Sequence, residues 1–236
     1  MSIRDMKGKV KDLIPVENVI VSVFDKSGLE MLVPALVHIN PDIRFLSTGG
    51  TYTKLKDLLE NPAKNLLEIS QYTEFPEMEG GLVKTLHPKI HAGILGERNN
   101  LEHQNYLKEV LGGGVFIDMV VVNLYPFQKV ISLPEANFES ARGNIDIGGP
   151  TMIRAAAKNF PSCAALCDPE DYWDILHAIK EDGGVTSFSQ RLRLAKKVFE
   201  TTAVYDRNIA DYFDAEINYG IKEIRGLYKF SGEDNG

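Results

Sequence analysis

A chain of 236 residues, 44% hydrophobic and 25% charged, is long enough for one large domain, or one domain plus a helical segment, around a buried core. Its net charge of −7 excludes a nucleic acid or an acidic membrane surface as the main partner, while leaving room for a local basic pocket that holds a phosphate. No run approaches the roughly 18 apolar residues of a membrane span, and residues 1–17, with Arg4, Lys7, Lys9 and Lys11, lack the apolar stretch of a signal peptide. Two cysteines, Cys163 and Cys167, stand at an even spacing on one face of an apolar segment. They read as reduced core residues rather than as a metal or redox pair, which suits a reducing cytoplasm.

In chain order, residues 18–24 form a short β-branched run with the pattern of a buried parallel strand. Asp25-Lys26-Ser27-Gly28 follows, then a helix over 29–39 that must accommodate Pro34. Residues 43–47 predict a second strand, running into Thr48-Gly49-Gly50-Thr51 and a helix through residue 60, and 65–69 a third strand. Residues 71–95, rich in Gly, Pro and charge, form the least regular part. An amphipathic helix is expected over 101–111, stopped by Gly112-Gly113-Gly114. Residues 116–124 are the most apolar strand and are expected at the centre of the sheet.

Gly148-Gly149-Pro150 then opens a small-residue helix through Lys158, with Pro150 suited to the first helical position. A strand surrounds Ala164, Asp168-Pro169-Glu170-Asp171 starts another helix, and 187–218 read as a long helix or helix pair, followed by a frayed tail from residue 230. Strand, glycine turn and helix alternate, which predicts a doubly wound α/β fold with a mainly parallel sheet.

In such sheets ligands bind beyond the carboxyl ends of the strands. Lys26, the Ser47–Thr51 turn, Asn123 and Tyr125 fall at those ends, with Asp146 and Lys158 just downstream. Ser47-Thr48-Gly49-Gly50-Thr51 offers hydroxyls, amides and a helix N-terminus; it serves either as a structural turn or as a phosphate cradle, and it is not a P-loop. Lys26 is either a solvated loop charge or the cradle's cation. His87 and His91 are spaced like metal ligands, but Pro88 stands where a zincin needs Glu and no third ligand is evident, so no metal is expected. Tyr125 could equally be a core aromatic with a polar handle, and Arg191, Arg193, Lys196 and Lys197 read as a solvated helix face.

Seven motifs stand in a fixed order: Asp25-Lys26-Ser27-Gly28, Ser47 to Thr51, Phe75-Pro76-Glu77-Met78, Lys84-Thr85-Leu86-His87-Pro88, His91 to Leu95, Asn123-Leu124-Tyr125-Pro126-Phe127 and the stretch from Asn144 to Asn159. That order resembles the IMP cyclohydrolase domain of bifunctional purine biosynthesis proteins over about residues 18–214, without their formyltransferase domain. The resemblance implies a methylglyoxal-synthase-like fold with a five-stranded sheet flanked by helices and a C-terminal helical extension. On this reading residues 1–17 are an N-terminal extension and 18–218 the cyclohydrolase domain, with an α/β core to about 167 and a helical extension over 168–218. Residues 219–236 are then a C-terminal tail.

The resemblance also implies closure of a formamido-imidazole-carboxamide ribotide to IMP with loss of water, with no metal and no cofactor. A homodimer and a separate AICAR formyltransferase are the implied partners. Asp146 would act as base towards the carboxamide, Lys158 assisted by Lys84 would stabilise the oxyanion, and Tyr125 would orient the amide, with Asn123 holding the base. Lys26, Ser47, Thr48, Gly49 and Thr85 would take the 5′-phosphate, with the Ile147 and Gly148 backbone also at the ligand. Leu82 departs from the family pattern, which has arginine there, and puts that loop's substrate contacts in question. Methylglyoxal synthase on the same fold and a non-catalytic nucleotide-binding or partner module are the alternatives; presence of Lys84, Tyr125, Asp146 and Lys158 favours catalysis.

Overall fold

The computed structural model describes residues 10–230, apart from the Tyr219 side chain, so residues 1–9 of the expected extension and 231–236 of the expected tail lie outside the described residues. The described chain forms two compact units. One comprises the chain up to Leu124 together with Ile147–Phe199; the other comprises Tyr125–Asp146 and the chain from Glu200.

The first unit is built on a five-stranded parallel sheet. In chain order its elements begin with β1 (Ile14–Pro15), β2 (Asn18–Val21), α1 (Leu29–Ile39), β3 (Arg44–Ser47) and α2 (Gly49–Leu58). There follow α3 (Pro62–Asn65), β4 (Leu66–Glu68), α4 (Ile69–Thr73), α5 (Pro88–Leu95), α6 (Leu101–Asn105) and β5 (Met119–Val121). The spatial order is β4-β3-β2-β5 and then β6 (Ala164–Leu166), with every neighbouring pair parallel. β2 is therefore the middle strand, and the more apolar β5 sits beside it rather than at the centre. Both strands are fully buried, so apolar content alone did not distinguish them.

Alternation along the strands divides two cores. Val19, Val21, Phe45, Met119, Val121, Ala164 and Leu166 face one cluster, closed by Leu29, Leu32, Val33 and Leu36 of α1 and by α10 (Tyr172–Glu181), which follows β6. Ile20, Leu46, Val120, Ala165, Cys163 and Cys167 face the other, closed by Ile90 and Ile94 of α5 and Met152 and Ile153 beyond β5. Burial of each valine, leucine, isoleucine, phenylalanine or methionine among them stabilises the fold by about 1.5–3 kcal/mol. Both cysteines are buried on one face and unbridged, and burial raises the Cys163 thiol well above its ordinary value.

The segment expected to be irregular contains α5, an eight-residue helix begun by Pro88 and capped by His87, whose Nδ1 accepts from the Lys89 amide at 3.1 Å. The expected helix over 101–111 is split into α6 and a turn of π-helix at Tyr106–Val110.

At the amino edge of the sheet, Asp118 is buried and accepts from the Glu17 amide at 2.9 Å and the Asn18 amide at 2.6 Å, while Arg98 pairs with its other oxygen. Burial raises the Asp118 pKa against the pull of Arg98 and the two amides. β1 pairs antiparallel with β7 (Val185–Thr186), so residues 14 and 15 belong to a small second sheet.

Arg191 overturns its expectation as a solvated charge: it is fully buried. Its guanidinium donates to the carbonyls of Phe160 (2.8 Å), Lys11 (3.1 Å) and Pro161 (3.2 Å) and also to that of Thr186, and burial lowers its pKa to about 10. Lys197 is likewise no solvated charge, since it bridges Asp168 and Asp171 at 2.8 Å each. Arg191→Ala would leave four carbonyls without their donor. It is expected to destabilise the chain by about 3 kcal/mol or more in urea denaturation, whereas Arg193→Ala at the surface changes stability by less than about 0.5 kcal/mol.

Candidate functional site

The loops after β2, β3 and β5 leave the sheet at its carboxyl edge. There Asn123 ties two of them together: its Oδ1 accepts from the Phe24 amide at 2.7 Å and the Asp25 amide at 2.9 Å, and its Nδ2 donates to the Asp25 carbonyl at 2.7 Å. Thr51 anchors the start of α2 to the same loop, its hydroxyl donating to the Val23 carbonyl and accepting from the Val23 amide. These bonds fix the loop that carries Lys26, whose Nζ donates to the Phe24 carbonyl at 3.3 Å and would stand 3.8 Å from a Cβ on Gly50. Asn123 and Ser47 are thus committed to the scaffold. The Ser47 hydroxyl is fully buried and donates to the Val21 carbonyl at 2.8 Å.

The mouth of α2 is formed differently. Gly49 adopts φ +55°, a conformation that glycine tolerates without strain, and a Cβ there would meet Lys84 Nζ at 3.8 Å. Lys26 and Lys84 therefore bring two ammonium groups against adjacent glycines at one helix N-terminus, where free amides and the helix dipole add further positive potential. Thr48 caps the helix in extended conformation without closing a side-chain cap bond, and its buried Oγ1 has no hydrogen-bond partner among the described residues. Lys84 pairs with Glu77, a residue whose motif was legible in sequence but whose contact was not, because an ion pair across seven residues of irregular chain has no periodic signature.

A second helix mouth closes on the same segment. The helix α9 (Gly148–Lys158) begins after Ile147, and a Cβ on Gly148 would lie only 2.6 Å from Thr85 Oγ1. Thr85, 7% exposed, is thereby held against the first turn of α9 while its neighbour Lys84 reaches α2. Pro150 is the third helical residue, not the first, because both glycines are already in the helix. His91 lies near by. Burial depresses its pKa, and a hydrogen bond with the Thr85 backbone acts in the opposite sense.

Lys158 is not brought to this edge. It is the last residue of α9, exposed, and ten residues at 1.5 Å each put it about 15 Å along the axis from Gly148. The sequence gives separation along the chain, and the helical rise turns that separation into distance. Leu82 is 63% exposed in a segment where Gly80, Gly81 and Val83 all have positive φ. For Val83 (φ 56°) this is backbone strain of about 1–3 kcal/mol.

Tyr125 and Asp146 belong to the second unit. There α7 (Phe127–Ile131) and α8 (Phe138–Gly143), the latter started by an Asn137–Ser140 capping box, accompany the later part of α11 (Phe188–Gly226). α11 runs eight residues past its expected end and is broken in backbone conformation at Gly220. Phe127 packs edge-on to Tyr205 and Tyr212, and Phe138 stacks on Tyr212. Asp146 is half-buried, and its amide donates to Tyr205 Oη at 2.8 Å; burial raises the Tyr205 pKa. Tyr125 is 48% exposed.

A family model described as MGS-like domain matches residues 28–151, and one described as AICARFT/IMPCHase bienzyme matches residues 156–233. The chain belongs to the MGS-like family. It is 48% identical over 197 residues to the bifunctional purine biosynthesis protein PurH of Chlorobium phaeovibrioides, an alignment covering 84% of this chain and 36% of that protein. The PurH proteins of Caldicellulosiruptor saccharolyticus (48% identity, 89% of this chain, 38% of theirs) and Bacillus subtilis (45%, 84% and 37%) are similarly related. The chain thus spans little more than a third of the length of these curated relatives. Among solved structures, the crystal structure of ForH superposes with a TM-score of 0.68 at 33% identity, covering 84% of this chain and 98% of that one. The MGS-like architecture, with its five parallel strands, agrees with the fold expected from sequence.

Gly148→Ala would drive the new methyl into the Thr85 hydroxyl. The substitution is expected to destabilise the chain by about 1–3 kcal/mol, and most of that loss should disappear in Gly148→Ala/Thr85→Ala. Thermal unfolding of the four proteins of this cycle checks the contact.

Proposed function

We propose that the chain is an IMP cyclohydrolase, closing 5-formamido-1-(5-phosphoribosyl)imidazole-4-carboxamide to IMP with loss of water. The observation that carries this reading is Lys84 and Thr85 lying between the mouths of α2 and α9, with Lys26 beside them, in a chain 45–48% identical to proteins named for purine biosynthesis. The 5′-phosphate is assigned to the α2 mouth. Amides at Gly49 and Gly50, the Thr48 hydroxyl, Lys26 and Thr85 supply donors there, and the Gly148 and Ile147 backbone borders the Thr85 side.

In ring closure the carboxamide nitrogen attacks the formyl carbon. A C–N bond forms as the carboxamide nitrogen gives up a proton, and the formyl oxygen takes up negative charge and then a proton. The C–O bond breaks as a second proton makes the hydroxyl leave as water, while a ring nitrogen loses its proton to complete the C=N bond. Lys84 is the ammonium assigned to the developing oxyanion. Asp146 as base and Tyr125 as the group orienting the carboxamide are assigned on the resemblance in sequence. Lys158, at the far end of α9, receives no part in these steps. Both reacting groups are on one substrate, so holding the formamido group in its reactive rotamer supplies much of the acceleration.

The same reading assigns the chain to the cytoplasm as a homodimer; among the described residues no helix is long and apolar enough to cross a membrane. Lys84→Ala and Asp146→Ala are each expected to lower kcat by about 100-fold or more while thermal stability is retained. The test is purified chain given the formamido ribotide, with IMP followed spectrophotometrically. Wild-type rates in both variants, or no turnover of a ribotide that the wild-type chain binds, would reject the assignment.

A further inference from the structure

A cavity with a few polar groups in a mostly apolar wall lies at the amino ends of β2, β3 and β4, the edge of the sheet opposite the α2 mouth. Its volume is about 190 Å³, far above the roughly 10–15 Å³ that admits a single water. Asn18 and Arg44, cross-strand partners at the first positions of β2 and β3, line it together with Leu46, Leu67, Tyr72 and Val115.

Three features give the cavity a chemical preference. Asn18 is only 6% exposed, and its Oδ1 has no hydrogen-bond partner among the described residues, so a buried acceptor is left wanting a donor. Arg44 has no ion-pair partner among the described residues, whereas Lys64, also on the wall, pairs with Asp42 at 2.8 Å. Tyr72 Oη accepts from the Val115 amide at 2.9 Å, which leaves its own proton to donate; burial raises its pKa, and the Val115 hydrogen bond and the Arg44 charge work against that rise. Leu46, Ala63, Leu66, Leu67 and Val115 complete the wall with Asn65, whose side-chain amide donates to the Pro41 and Ile43 carbonyls. None of these groups serves the carboxyl-edge cradle.

We propose that this cavity binds a small organic oxyanion that also carries a hydroxyl donor, its anionic group on Arg44 and Tyr72 and its hydroxyl on Asn18. Carboxylates and phosphate monoesters share that chemistry, so the test uses one of each: glycerate and glycerol 3-phosphate, with neutral glycerol as control. The readout is amide chemical shifts of the full chain, in the wild type and in Lys84→Ala, which removes a cation from the other site.

The expected result is saturable shifts at Leu67 and Val115 with at least one of the two anions, unchanged by Lys84→Ala and weakened about tenfold or more by Arg44→Gln. Response to both anions assigns the site to oxyanions in general, and response to one names the class. Arg44 is exposed, so its replacement does not endanger the fold. The proposal is overturned if millimolar anion leaves these amides in place, if glycerol moves them as far, or if Arg44→Gln binds as the wild type does.

Discussion

The close approach of Thr85 to Gly148 is the contact on which the arrangement of the site depends. No side chain fits at Gly148, so the segment carrying Lys84 and Thr85 can lie against α9, and from there the lysine reaches the mouth of α2. Two helix N-termini that leave the sheet from different strands are thereby linked by two consecutive residues. Their positive ends, with two ammonium groups, concentrate positive potential in a chain whose net charge is −7. A uniformly charged surface of that sign would repel a phosphate; local backbone geometry reverses it.

The two edges of the sheet are used differently. At the amino edge, Asp118 gathers the Glu17 and Asn18 amides with Arg98, and Arg191 gathers carbonyls from four separate positions. Such buried ions persist because their hydrogen bonds are met, and removal of one partner leaves an uncompensated group. At the carboxyl edge, Asn123 and Thr51 stiffen the loop backbone, while the buried Thr48 hydroxyl is left without a hydrogen-bond partner among the described residues. Rigidity comes from side chains hydrogen-bonded to the loop backbone, which is how a loop holds a cation such as Lys26 in place.

Strand and helix identities were legible in the sequence because β-branched runs, glycine turns and capping residues are local signals. The helix over Leu29–Ile39 appears with its expected bounds despite Pro34, and Asp168 caps the turn after β6 as read, accepting from the Glu170 amide at 3.0 Å. The order of motifs led to the family, and the family to the fold.

What the sequence concealed was direction and distance. Arg191 sits among other cations on a helix, and only tertiary packing reveals which face is buried. Asn123 and Ser47 are polar residues at strand ends, where scaffold and ligand roles look alike until their hydrogen bonds are traced. Lys158 is ten residues from Gly148 in sequence, and a helix converts that to the opposite end of the element.

A crystal structure with a purine ribonucleoside 5′-monophosphate bound tests the central claim most directly. The account predicts the phosphate at the mouth of α2, with oxygens about 2.7–3.2 Å from the Gly49 amide, the Thr48 hydroxyl and Lys26 Nζ, and with Thr85 in contact. A phosphate bound away from α2, with Lys26 and Thr48 making no contact to it, would contradict the account.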